Sequence, residues 1–211
     1  MNTEVPKQFL LLAGLPVLMH TLRIFYLFDP GMPLFVTLPE SHIPYWEKLC
    51  REYSFTISHH LVKGGGTRFG SVKNALEKIS GEGLVAIHDG VRPLVSIDTL
   101  KRTFKEAGKS GNAIPVVRMQ ESIRETLPGG NREVARDNLW IVQTPQVFRK
   151  ELIRKAYHSA PHENFTDDAT VLETLGETIH LVEGNPENIK ITCPSDLRCA
   201  EAIFGYSALR D

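Results

Sequence analysis

Cysteine is scarce in this 211-residue chain: Cys50, Cys193 and Cys199 are unevenly spaced, with no CxxC step among them. An odd and scattered set excludes a disulfide framework and a cysteine-based zinc site, and fits a reducing compartment. No apolar run reaches the roughly 18 residues that span a bilayer. Residues 1–30 also lack the charged start, apolar centre and small-residue cleavage site of a secretory signal. A cytoplasmic protein with no membrane partner is therefore expected. Excess charge of either sign is missing too, with 24 basic residues against 25 acidic ones. Without a global field, nucleic acid is not an expected partner, and any anion must be held by a local cluster.

What is present is an ordinary globular composition, 42% apolar and 23% charged, in a chain long enough for one sizeable core. Short β-rich runs at Leu34–Leu38, His59–Lys63, Leu84–His88 and Ala113–Val117 alternate with segments of helical period at Ser41–Tyr53, Phe69–Ser80 and Ser96–Lys109. That rhythm predicts an α/β fold with a mostly parallel sheet and helices on both faces. In such sheets ligands bind beyond the carboxyl ends of strands. The run "LVAIH" ends there in Asp89, Gly90 and Arg92.

A carboxylate at that position suits a hard divalent ion such as magnesium, and an arginine three residues on can face phosphate. The competing reading is a local Asp89–Arg92 ion pair capping a βα turn, stiffened by Pro93. A second anion candidate is "VKGGGTRFGSVKNAL", where glycines leave a strand and Ser71 opens a helix. It does not match the P-loop pattern, and a surface turn explains it as well.

In "ENIKITCPSDL", Lys190 alternates with Ile189 and Ile191, so it reads as an exposed strand lysine ahead of a helix begun by Pro194, Ser195 and Asp196. In "NFTDDATVLETLG", Thr166 reads as the helix N-cap, Asp167 and Asp168 as acids at the positive helix end, and Gly176 as the stop. Two polar alternating runs around Pro128-Gly129-Gly130-Asn131 predict a β-hairpin. A hairpin with so little apolar surface needs a second surface, so Arg124, Arg132 and Arg136 are candidates for a site shared between two chains. The alternative is a mobile surface hairpin.

Six stretches follow one another along the chain: "PKQFLLLAGLPVLMHTL", "GGGTRFGSVKNAL", "HDGVRP", "LWIVQTPQVF", "FTDDATVLE" and "ENIKIT". Taken in that order, from about Val5 to Ala202, they resemble the 2-C-methyl-D-erythritol 4-phosphate cytidylyltransferase family of the non-mevalonate isoprenoid pathway. The resemblance implies a Rossmann-like nucleotide-binding domain over residues 1–117 and 139–211, with a projecting β-hairpin arm over 118–138. It further implies an arm-embracing homodimer and a magnesium-dependent reaction joining CTP and 2-C-methyl-D-erythritol 4-phosphate, a polyol phosphate, with release of pyrophosphate.

By the same resemblance, Lys7 meets the triphosphate and Lys190 the α-phosphate, as the catalytic pair. Gly65, Gly66 and Ser71 hold the cytidine, while Asp89 holds Mg2+ and contacts the nucleotide. Arg92, Ser122, Arg136, Thr144 and Thr166 fall at acceptor-binding positions, Arg136 reaching across the dimer. In-line attack of a phosphate oxygen on the α-phosphorus needs no general base, because a phosphate monoester is already anionic near neutral pH.

One departure stands out. The family carries a first strand and a Gly-rich loop with an arginine ahead of "PKQF", whereas "MNTEV" alone precedes Pro6 here. Omission of residues from the sequence is the favoured expectation over a truncated product with poor CTP affinity, because losing an inner strand exposes two sheet edges. Two rival functions are a cytidylyltransferase for another polyol phosphate, such as ribitol 5-phosphate, and a non-catalytic nucleotide-binding paralogue. Against the second, Lys7, Asp89, Arg92, Arg136 and Lys190 are all kept.

Overall fold

The computed structural model describes residues 5–207, so Met1–Glu4 of the stretch ahead of Pro6 lie outside the described residues. The chain enters through a 3-10 turn at Lys7–Phe9 and a ribbon of β1 (Leu11–Leu12) against β2 (Leu15–Pro16). The apolar helix α1 (Val17–Phe28) follows. Its buried Leu18, Met19, Leu22 and Phe25 share one core cluster with Val36 and Leu38 of β3 (Phe35–Leu38) and with Trp46 and Leu49 of α2 (Ile43–Glu52). Six consecutive residues of α1, Val17 to Leu22, are buried, so the first half of this helix is covered on every face rather than along one stripe. Strand β4 (His60–Lys63) pairs in parallel with β3.

Helix α3 (Arg68–Leu76) leads to β5 (Leu84–Ile87), and α4 (Ile97–Ser110) leads to β6 (Asn112–Arg118). Ser96 caps α4 by accepting from Thr99 N–H, and Gly111 ends it at φ 90°. The hairpin lies where the sequence predicts it, as β7 (Ile123–Leu127) against β8 (Gly130–Val134), with Leu127 opposite Gly130. Then come β9 (Trp140–Val142), β10 (Gln146–Arg149), α5 (Lys150–Ser159), α6 (Asp168–Glu173), β11 (Leu181–Glu183) and α7 (Pro194–Ser207).

The expected mostly parallel sheet is corrected to a mixed one. In the five-stranded sheet, ordered β11-β6-β10-β5 with β9 also on β6, only the β6–β11 pair is parallel; β10 runs antiparallel to both β5 and β6, and β9 antiparallel to β6. The reason is the route of the chain: it leaves β6 through the hairpin and returns without a helical crossover, so it must come back reversed. Among the described residues no strand bonds the β3–β4 pair to this sheet. Between β3 and β5 lies a cavity of about 940 Å3, lined by residues of both strands together with Lys7, Arg68, Ser71, Asp89 and Lys190.

Candidate active site

Asp89 sits just past the carboxyl end of β5, and its turn is held from three directions. Its N–H donates to Thr144 Oγ1 at 3.1 Å, and its carbonyl accepts from Arg92 N–H at 3.0 Å. The next residue's carbonyl, that of Gly90, accepts the Thr21 hydroxyl at 3.1 Å. A Cβ on Gly90 would come within 3.0 Å of Leu18 Cδ1, so the tip of that α1 side chain would have to give way.

Three cations converge on the Asp89 carboxylate. Arg92 Nε is 3.2 Å and Lys190 Nζ 3.1 Å from Oδ2, and Arg68 Nε is 3.9 Å from Oδ1. Burial alone would raise the pKa of this acid, but Lys190, Arg68 and Arg92 together outweigh it and hold it below its ordinary value of 3.8. Asp89 is therefore ionised at neutral pH, and the cluster keeps an excess of positive charge, which favours a polyanion.

Lys7 and Ser71 line the same cavity, and Gly65 is tied to it because its N–H donates to Ser71 Oγ at 3.0 Å. Gly65 packs so closely on α3 that a Cβ there would lie 2.7 Å from the Gly70 carbonyl carbon. Gly66 lies in the same exposed loop, and Thr67 caps α3 by accepting from Gly70 N–H. Arg92 and Thr144 stand behind Asp89 rather than in the cavity lining: Arg92 donates through Nη1 to Asn188 O at 2.8 Å, and Thr144 is buried. The local Asp89–Arg92 ion pair expected from the sequence is present, and the carboxylate also borders the cavity. Ser122 and Arg136 are exposed in the hairpin region, Arg136 donating to Gln120 O, and Thr166 is exposed ahead of α6. The structure does not bring these three into the cavity lining.

Two local expectations are corrected. Lys190 lies in irregular backbone, not a strand, which frees its ammonium to turn toward Asp89. The α6 N-cap is Asp167, whose carboxylate accepts from Thr170 N–H, and not Thr166. The helix begins at Asp168, which puts Asp167 rather than Thr166 at the capping position; Asp168 itself is buried against Arg68 and the Tyr157 hydroxyl.

The family model for 2-C-methyl-D-erythritol 4-phosphate cytidylyltransferase matches residues 1–206. The chain belongs to this family. Relatives bearing that name include proteins of Bacteroides fragilis, 47% identical over 204 residues, and Porphyromonas gingivalis, 48% identical over 206 residues. The matches cover 97% of this chain and 93% and 91% of those proteins, respectively. The crystal structure of the Thermus thermophilus cytidylyltransferase superposes with a TM-score of 0.81 at 34% identity, covering 94% of this chain and 93% of that one. The chain is accordingly a nucleotidyltransferase of α/β fold.

Three residues beside Asp89 in this cytidylyltransferase family member were passed over by sequence reasoning: Arg68 and His88, which line the cavity, and Asn188, whose carbonyl accepts from Arg92; Asp168, which holds Arg68, was read only as an acid at a helix start. A signal for Arg68 existed, since a cation at the first residue of a helix opposes the helix dipole and calls for a reason. His88 follows β5 directly. Its Nε2 is 3.0 Å from Arg92 O and its Nδ1 3.0 Å from Thr144 Oγ1, so a neutral ring donates to the carbonyl and accepts the hydroxyl. Burial pushes its pKa down to about 4. Between that value and 6.5 the unfolded chain binds a proton that the folded one does not, so stability falls as pH drops through this window, and below it the full loss persists without further slope from this group. Full burial would make the loss about 3 kcal/mol, and the partial exposure of His88 makes that an upper bound. Thermal melts from pH 7 to pH 4 should show this slope in the natural chain and a shallower one in His88→Gln; equal slopes would discard the assignment.

Proposed function

We propose that this chain joins CTP and 2-C-methyl-D-erythritol 4-phosphate to give 4-diphosphocytidyl-2-C-methyl-D-erythritol and pyrophosphate in isoprenoid biosynthesis. The observation that carries the reading is the Asp89 carboxylate ringed by Lys190, Arg68 and Arg92 at the border of a cavity that Lys7 and Ser71 also line. Two polyanions must meet here, and the work of the protein is to position them and offset their repulsion.

In this mechanism an acceptor phosphate oxygen attacks the α-phosphorus in line. The new P–O bond forms as the bond to the β-phosphate breaks, and pyrophosphate leaves with the electron pair. Lys190 neutralises charge growing on the α-phosphate, and Lys7 does the same along the triphosphate. Gly65, Gly66 and Ser71 receive the cytidine; the Gly65 amide and Ser71 hydroxyl now bonded to each other supply the donor and acceptor that a base edge needs. Arg92, Thr144 and Thr166 serve the acceptor side.

The fit of a divalent ion rests on donor chemistry. Among the described residues no three His, Cys, Asp or Glu side chains form a metal cage, while magnesium characteristically uses one or two carboxylates plus substrate phosphates. Asp89 alone meets that pattern, and Mg2+ held there would neutralise phosphate charge. Residues 118–138 form a dimerisation arm in this reading, and residues 1–117 with 139–211 a Rossmann-like nucleotide-binding domain. Support for the arm comes from Trp140, Ile141 and Val142, three successive exposed apolar residues at its base, with Leu127 exposed beside its turn. Ser122 and Arg136 would then serve the partner's site. A cytoplasmic location fits the three free cysteines, and among the described residues no helix is long and apolar enough to cross a membrane.

The test is pyrophosphate release with CTP and Mg2+, offering methylerythritol phosphate and ribitol 5-phosphate separately. Release with the first acceptor is expected. Release with ribitol 5-phosphate alone would reassign the acceptor, and release with neither would favour a non-catalytic nucleotide binder.

A further inference from the structure

Arg68 lies between two acids that are far apart in sequence. It holds Asp168 with a two-pronged bond, Nη1 to Oδ1 at 2.9 Å and Nη2 to Oδ2 at 2.6 Å, while its Nε stands 3.9 Å from Asp89 Oδ1, beyond hydrogen-bond range. Asp168 is completely buried, and its Oδ1 also accepts the Tyr157 hydroxyl at 2.6 Å. The N–H groups of Asp168 and Ala169 both donate to Gln146 Oε1, at 3.0 and 2.8 Å. Gln146 opens β10 directly opposite Ile87 of β5, two residues before Asp89. The sheet thus fixes the two carboxylates relative to each other, and Arg68 spans the gap.

The geometry points to Asp168 as a positioning residue that retains Arg68 and so keeps Asp89 Oδ1 open to a divalent cation. This rests on the reading of Asp89 as the metal holder. Asp89 Oδ2 is already engaged by Arg92 and Lys190, leaving Oδ1 as the oxygen with room. A fork-to-carboxylate bond is stronger and more directional than a single contact, and a buried carboxylate demands its partner, so Asp168 outcompetes Asp89 for the guanidinium. Without that hold, Arg68 has about an ångström to travel before it closes on Oδ1. It would then contend with the metal for the same lone pair.

The test measures Mn2+ binding directly, by electron paramagnetic resonance on the full chain with a non-hydrolysable CTP analogue present. Asp168→Asn should weaken Mn2+ roughly tenfold, as expected when two ligands compete through one group. Adding Arg68→Gln to that variant should recover most of the loss, because the competing cation is then gone; a merely structural role for Asp168 predicts no recovery. Arg68→Lys supplies a second route should Asp168→Asn fail to fold, since an ammonium cannot grip both Asp168 oxygens as a fork and should also weaken Mn2+. Unchanged Mn2+ affinity in the folded variants, or a loss that Arg68→Gln does not relieve, overturns the inference. Absence of Mn2+ binding in the natural chain would instead remove the metal reading of Asp89, and this inference with it.

Discussion

Lys190→Ala is expected to lower kcat by about two to three orders of magnitude with a much smaller change in KM for CTP, the pattern of a charge donor that acts mainly in the transition state. The ammonium is half-exposed, borders the cavity and sits 3.1 Å from Asp89, so it is free to move onto a phosphate oxygen as charge accumulates there. Removing it has a second consequence of opposite sign for Asp89. Lys190 contributes to the depression of the Asp89 pKa, so without it that pKa rises and burial counts for more. Activity should therefore begin to fall at a higher pH on the acid side than in the natural chain. Rate profiles from pH 4 to pH 8 on both proteins would read the two effects together. Lys190→Arg should keep part of the rate, since the charge remains but the compact ammonium does not. A Lys190→Ala enzyme with kcat within about threefold of the natural chain would exclude the role.

The parts of this site legible in the sequence are those whose signal is local. "LVAIH" reads as a buried strand because nearly every position is apolar, and the next residues must then lie at its carboxyl end; Asp89 is found there. The Pro128–Gly130 turn was equally plain, because turn geometry depends on neighbours only a few positions away. Direction in the sheet was not legible. The reversal of β10 between β5 and β6 follows from the absence of a crossover helix after the hairpin, a property of the path and not of its four residues. Asp168 misled for a related reason. An acid at a helix start has a sufficient local explanation, and nothing nearby in sequence announces a guanidinium arriving from a residue 100 positions earlier. Lys190 shows the reverse error, since a short apolar alternation imitated a strand where the backbone is irregular.

Mixing two inactive variants should restore activity if the hairpin serves a second chain. Arg136→Ala, tested alone, should raise KM for the acceptor strongly, because a phosphate would lose a charge-assisted partner. Lys190→Ala should fail in turnover as argued above. If Arg136 acts across the dimer, a mixed dimer contains one site with both residues natural and one with both replaced. Random exchange of equal amounts makes half the dimers mixed, so activity should recover to about a quarter of the natural level in a closed two-fold assembly. If instead Arg136 folds back to its own site, every site in the mixture lacks one residue or the other, and no recovery is possible. The exposed position of Arg136, outside the lining of its own chain's cavity, and the exposed apolar Trp140–Val142 segment favour the first outcome. Recovery that rises with the ratio of mixed dimers, followed by native mass spectrometry, would tie it to subunit exchange; a flat baseline across all ratios would return the hairpin to the status of a surface feature and leave the acceptor phosphate to Arg92.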